Sequence, residues 1–145
     1  MNEIVNQLTV LRQEIQRWDN STHRSRVYYR KMAYYLYLSI AIFSSLTTVL
    51  IGLKIDRIIE YTRIGALILS AAITILSAMN FFFNFKELWV AYDTAIFKLG
   101  RLTFDINMTE ANNTLNQDSL KDFRNRLEGI LQDLNNTWQK NRQSK

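Results

Sequence analysis

Two windows of the chain carry no charged side chain. The first covers residues 32–53 and reads MAYYLYLSIAIFSSLTTVLIGL; the second covers 64–85 and reads IGALILSAAITILSAMNFFFNF. Each is 22 residues long. At about 1.5 Å per residue a helix of that length reaches roughly 33 Å, enough for a hydrocarbon core about 30 Å thick. A helix buried in a water-soluble bundle rarely runs so far without a charge, and the rest of the chain is too short to wrap two of them. Aromatic rings gather where headgroups would lie: Tyr28, Tyr29, Tyr34, Tyr35 and Tyr37 on the first window, Phe81, Phe82, Phe83, Phe85 and Trp89 on the second. The link KIDRIIEYTR, residues 54–63, allows only a tight return, so the spans form an antiparallel hairpin. The first window follows a long polar segment and no small-residue cleavage site, which is not the pattern of a cleaved signal peptide.

The polar ends have helical periodicity. In residues 1–31, Ile4, Leu8, Leu11, Ile15 and Trp18 are spaced 4, 3, 4, 3, a short heptad seam. No Pro or Gly lies between Met1 and Gly52, so this helix runs into the first span, with Asp19–Ser21 its weakest point. After the second span, Trp89, Tyr92, Ile96 and Leu99 repeat the 3, 4, 3 spacing. This predicts that span two continues as a helical extension over 86–106. Turn formers crowd residues 107–117 and predict a loop. Ser119 or Asp118 then caps a last helix over 118–142, whose apolar stripe is Leu120, Phe123, Leu127, Leu131, Leu134 and Trp138. The fold class is all-α: a single domain, 1–145, with a two-span transmembrane hairpin and three cytoplasmic helices forming a juxtamembrane bundle. Three short helices leave apolar surface for a second subunit or a partner.

Composition removes most chemistry. The 145 residues include no cysteine, no proline and one histidine, His23. Disulfides, thiolate metal sites and a Ser-His-Asp machine are thereby excluded or disfavoured. No GxxxxGK[ST], GxGxxG, HExxH or CxxC occurs. Asp93 and Asp105 sit among basic neighbours and read as salt-bridged rather than catalytic. No enzyme activity, cofactor or metal is expected. The net charge is +5. The cluster Arg24, Arg26, Arg30, Lys31 directly precedes a span, so anionic lipid explains it better than nucleic acid. Arg26, Tyr28, Tyr29, Arg30, Lys31, Trp89 and Tyr92 are the candidate membrane-interface residues. Arg17, Arg24, Arg26, Arg30, Lys31, Lys86, Lys98 and Arg101 flank the outer ends of the spans, against Lys54, Arg57 and Arg63 in the link. That asymmetry puts both termini in the cytoplasm.

The spans themselves carry a polar pattern. On a helix, Ser70, Thr74, Ser77, Asn80 and Asn84 fall within about 120° of one another, with Ala66 and Ile73 among them. One reading is close helix packing; the other is a row that lines water when several hairpins form a ring. Phe81, on the same face, is a candidate hydrophobic gate. In span one, Ser44, Thr48 and Gly52 have the small-xxx-small spacing of a packing face. Two spans cannot enclose a water path, so any pore requires a homo-oligomer.

The lead-in RSRVYYRKMAYYLYLSI, the hairpin and the stretch FFFNFKELWVAYDTAIFKLG resemble the SLATT family of two-span bacterial membrane proteins. Tyr29, Arg30, Trp89, Tyr92, Ala95 and Leu99 carry the likeness, which covers roughly residues 20–108. The resemblance implies an effector of bacterial conflict or antiphage systems that perforates the inner membrane when triggered. These residues include no fused sensor or nucleotide-binding segment, so the trigger is open between a sensor or signalling protein partner and a nucleotide-derived ligand. A phage holin and a passive anchor or scaffold are the alternative readings.

Overall fold

The computed structural model describes residues 2–52 and 59–143. They form four helices: α1 (Asn2–Gly52), α2 (Ile59–Phe83), α3 (Phe85–Ala111) and α4 (Gln117–Gln143). Among the described residues there is no strand. The chain divides into two compact units, Met1–Tyr29 with Glu87–Lys145, and Arg30–Lys86.

The first unit is a three-helix bundle. Its core takes Leu8, Leu11 and Ile15 from α1, Ala95, Leu99, Leu102 and Ile106 from α3, and Leu120, Phe123, Leu127 and Ile130 from α4. Leu102 is 0% exposed, and Leu99 and Ile106 are 1%. The α3 seam runs Leu88, Tyr92, Ala95, Leu99, Leu102, Ile106, in steps of 4, 3, 4, 3, 4, so the heptad repeat lasts the whole helix. Two seam assignments change. Trp18 is 38% exposed and the buried position is Thr22, at 2%. In α4 the seam passes through Ile130, with Leu131 only half-buried. A 3-or-4 choice along a stripe is settled by which neighbour fills the gap, and periodicity alone does not reveal that.

Polar side chains tie the bundle at its surface. Arg12 donates to Asn107 Oδ1 at 2.8 Å and Glu110 Oε2 at 2.6 Å. Arg126 meets Asp105 at 2.6 Å, and Arg26 meets Asp93 at 2.8 Å. Partly exposed pairs contribute about 0–1 kcal/mol each, so they select register while the apolar core drives association.

The same contacts correct the expected loop. Helix α3 continues to Ala111, past the expected end at 106, and the connection shrinks to residues 112–116. Ile106 is fully packed and Arg12 grips the following turn, which outweighs the turn preference of the asparagines. Asn113 has φ 51°, the left-handed turn that ends the helix. The next helix is capped by Asn116 instead of Asp118 or Ser119. Asn116 Oδ1 accepts from the Ser119 amide at 2.7 Å, and Ser119 Oγ accepts from the Asn116 amide at 3.1 Å. This reciprocal box is worth about 1 kcal/mol.

The second unit is the helical hairpin. On α1, Ala33 and Leu36 are buried, with Ile40, Phe43, Thr47 and Leu50 half-buried below them. On α2, Ala66 is buried, with Leu69, Ile73, Leu76 and Asn80 half-buried. At Gly65 the helices pack side chain against backbone: an added Cβ would stand 3.4 Å from Leu50 Cδ1. The expected link at 54–63 is shorter at its far end, because α2 already begins at Ile59; residues 53–58 lie outside the described set. The helical stretches Glu3–Gly52 and Glu60–Ala111 are long and apolar enough to cross a membrane. Only 6% of the most apolar part of either is buried, which is unlike the core helices of a water-soluble protein.

One break was not expected. The helix predicted to run unbroken from span two into the extension stops at Asn84, which has φ 38°. The Asn84 amide still donates to the Asn80 carbonyl at 2.9 Å, so the last turn closes before the chain turns left-handed. Asparagine tolerates that conformation better than other residues with a side chain. By contrast, α1 passes Asp19–Ser21 without a break.

Candidate functional site

The hairpin has two unlike faces. Ser70, Thr74 and Ser77 are exposed on α2, about 100° around the helix from the row that packs against α1. Ser44, Thr48 and Gly52 are exposed on α1, turned from its packed row in the same rotational sense. In antiparallel helices equal turns bring both rows to one side. The small, hydroxylated residues of both spans therefore share a face. The opposite face is aliphatic: Ile42, Leu46 and Val49 are 46–57% exposed on α1, and Ile68 and Ile75 are 62–64% exposed on α2. Thr74 Oγ1 donates to the Ser70 carbonyl at 3.0 Å, and Thr48 Oγ1 to the Ser44 carbonyl at 3.0 Å. These hydroxyl protons are satisfied within their own helices, leaving oxygen lone pairs outward.

The sequence-derived row divides on this geometry. Ser70, Thr74, Ser77 and Phe81 stay on the hydroxyl side, with Phe81 81% exposed. Asn80 turns into the seam, where its Nδ2 donates to Tyr37 Oη at 3.4 Å. Asn84 is the helix break itself. Ser44, Thr48 and Gly52 do not pack against α2; a Cβ placed on Gly52 would meet nothing within 4 Å.

The candidate interface residues divide as well. Tyr28, Arg30 and Lys31 are exposed. Arg26, Tyr29, Trp89 and Tyr92 are drawn into packing within the bundle unit. Tyr29 stacks on Tyr92 with ring centroids 5.5 Å apart and planes 12° from parallel. Trp138 of α4 meets Tyr29 edge-on at 5.9 Å, and its Nε1 donates to Tyr92 Oη at 2.8 Å. The Arg142 guanidinium lies over the Trp138 ring at 5.3 Å.

Burial pushes the Tyr29 phenol above its ordinary pKa of 10.0, the neighbouring Tyr92 and Tyr28 add to the rise, and Arg142 opposes it. A raised value means the folded state holds this proton more tightly than the unfolded chain. Its contribution is complete below about pH 10 and is lost as pH climbs through the folded value. Unfolding free energy measured in detergent against pH should therefore fall above about pH 10, and less steeply in Tyr29→Phe. Equal slopes would show that Tyr29 is not the group responsible.

A second seam on α3 escaped sequence reasoning. Val90, Phe97, Phe104 and Met108 are 46%, 72%, 62% and 47% exposed. With Thr94 and Arg101 between them, they repeat the 4, 3, 4, 3, 4 steps of the core seam on the opposite side of the helix. The signal was present as the seven-residue spacing of Val90, Phe97 and Phe104, masked by the stronger stripe beside it. Apolar patches of this kind mark association surfaces. Among the described residues no group of His, Cys, Asp and Glu side chains could hold a metal ion.

Residues 16–101, more than half of the chain, match a family model described as a protein of unknown function (DUF4231). No curated protein and no solved structure matches.

Proposed function

We propose that this chain, which belongs to the DUF4231 family, is the subunit of an oligomeric, regulated pore in a bacterial inner membrane, with both termini cytoplasmic. The observation that carries the reading is the two-faced hairpin: hydroxyls and small residues of both spans on one side, branched aliphatics on the other. Several hairpins in a ring would turn the aliphatic face to lipid and enclose the hydroxyl face around water. Ser70, Thr74 and Ser77 then line the path and Phe81 constricts it, a hydrophobic gate that opens on wetting. No Asp, Glu, Lys, Arg or His lies within 32–53 or 64–85, so the path selects weakly by charge. The exposed α3 seam gives neighbouring copies a second surface to share. The likeness to SLATT proteins supports a role as a membrane-perforating effector of antiphage or conflict systems, released by a signalling partner or a nucleotide-derived ligand.

The test is membrane potential. Cells induced to express the chain should depolarise within the time the protein takes to reach the membrane, and liposomes holding the purified chain should leak small ions. Membrane insertion with neither effect would leave a gated pore missing its trigger or an anchor that recruits a partner through its helical bundle, and the partner held by the cytoplasmic helices then decides between them.

A further inference from the structure

We propose that the end of α4 is a lipid-binding arm, in which Lys140 and Arg142 hold the phosphates of anionic phospholipids at the membrane surface. The inference rests on the two spans crossing a membrane, and not on the pore.

Two segments without acids come together at one end of the bundle unit. Residues 20–31 read NSTHRSRVYYRK, with Arg24, Arg26, Arg30 and Lys31 and no Asp or Glu. Residues 134–145 read LNNTWQKNRQSK, with Lys140, Arg142 and Lys145 and again no acid. Trp138 of the second segment meets Tyr29 of the first edge-on at 5.9 Å, and its Nε1 donates to Tyr92 Oη at 2.8 Å. Arg142 then lies over the outer face of Trp138 at 5.3 Å. Acids gather at the other end of the helix instead, with Asp118 in the first turn of α4 and Asp122 one turn on.

Chain connectivity places this end at the membrane. The bundle unit leaves off at Tyr29 and resumes at Glu87. Helix α1 continues through Tyr29 without a break, and Met32 opens the first uncharged window. From Tyr29 to Met32 a helix rises about 5 Å, and the headgroup layer on each side of a bilayer is about 5–7 Å deep. Tyr29 therefore lies at headgroup level. Trp138 touches Tyr29 and Arg142 covers Trp138, so the end of α4 reaches that level too.

The two cations are available for an anion. Lys140 and Arg142 are exposed, and neither forms an ion pair with a described residue. Other cations of the bundle are taken: Arg26 by Asp93, Lys98 by Asp133, Arg126 by Asp105. A guanidinium stacked by its face on an indole keeps its in-plane N–H donors free, and those are the donors that fit a phosphate. The helix dipole favours cations in any last turn, but it does not account for their meeting a second acid-free segment beside a span. A cation held within a Debye length of an anionic surface, about 8 Å at physiological salt, strengthens contact about fivefold.

The experiment uses the full chain in phosphatidylcholine vesicles containing phosphatidylglycerol. The chain has no cysteine, so Gln143→Cys gives a single site for a fluorophore, and Gln117→Cys gives one at the other end of α4. Each is quenched in turn by phosphatidylglycerol and by phosphatidylcholine carrying the same spin label high on the acyl chain. The ratio of the two quenching efficiencies reads the local preference for the anionic headgroup. At residue 143 it should exceed the value at residue 117 by at least about fivefold. Lys140→Gln with Arg142→Gln should remove most of that difference, while Lys140→Arg with Arg142→Lys should keep it. Equal ratios at the two sites overturn the arm, and a difference that survives the Gln pair overturns the assignment to Lys140 and Arg142. Chloride and inorganic phosphate at equal ionic strength should lower the ratio equally; a larger loss in phosphate would mean that the pair takes the free anion, which overturns the lipid. A chain stripped from the vesicles by alkaline wash overturns the spans and the arm together, whereas an inserted chain without the preference overturns the arm alone.

Discussion

Leucine placed together at Ser70, Thr74 and Ser77 should abolish depolarisation while the protein reaches the membrane in at least wild-type amount. The three side chains lie on the exposed hydroxyl side of α2, off the seam with α1, so the change leaves the hairpin contacts intact. Leucine also favours insertion, by about 0.3–0.6 kcal/mol per residue at a span centre, so failure to insert does not explain a loss. What changes is the wetting of the face. Three hydroxyl oxygens per subunit disappear and three isobutyl groups enter the lumen, and a narrow path lined that way dries. Ile68→Leu with Ile75→Leu, on the aliphatic side, should leave depolarisation at the wild-type level. Persistence in the triple variant would move the lining to Ser44 and Thr48 on α1, and a matching Ser44→Leu/Thr48→Leu variant would settle it. Asn80→Leu is a poorer probe. It removes the bond to Tyr37 in the seam, so a loss there reports hairpin packing as much as lining.

The elements that rest on long-range composition were legible in the sequence. Two uncharged windows gave the hairpin, and heptad spacing gave three bundle helices, because both signals average over many residues. What failed depends on single neighbours. Asn80 and Ser77 fall on one arc of a helical wheel, yet a Tyr37 hydroxyl within reach draws the carboxamide into the seam and leaves the serine outside. Asn84 looked like one more polar residue in a row, and its tolerance of a left-handed backbone ends α2 there. Asn107 reads as a turn former, but Arg12, 95 positions away, holds it in a helix. The interface aromatics form one band in the sequence, but packing takes Tyr29, Trp89 and Tyr92 and leaves Tyr28 exposed. The shared hydroxyl face was half visible: each row could be seen on its own wheel. That they lie on one side needed the phase of each packed seam, which only the pairing of the helices supplies.

Leu102→Ala should cost the bundle about 2–5 kcal/mol, the cost of truncating a fully enclosed leucine. Leu102 is 0% exposed and sits mid-seam on α3 in the core shared with α1 and α4. Removing three carbons from a closed site forfeits their transfer energy and leaves a cavity that three rigid helices fill poorly. Against a typical domain stability of about 5–15 kcal/mol, that is a large share. Denaturant unfolding in detergent, followed by the fluorescence of the three tryptophans, measures it; a cost under about 1 kcal/mol would mean Leu102 is not enclosed in the core. Phe97→Ala is the informative companion. It lies on the same helix but is 72% exposed, so in a detergent-dispersed monomer it should cost within about 0.5 kcal/mol. The same substitution measured on the assembled protein separates two uses of α3. If its cost rises there to several times the monomer value, the Val90–Phe97–Phe104 seam is covered by a neighbouring copy. If it stays near zero, that seam faces water in the assembly, and the hairpins alone hold the ring together.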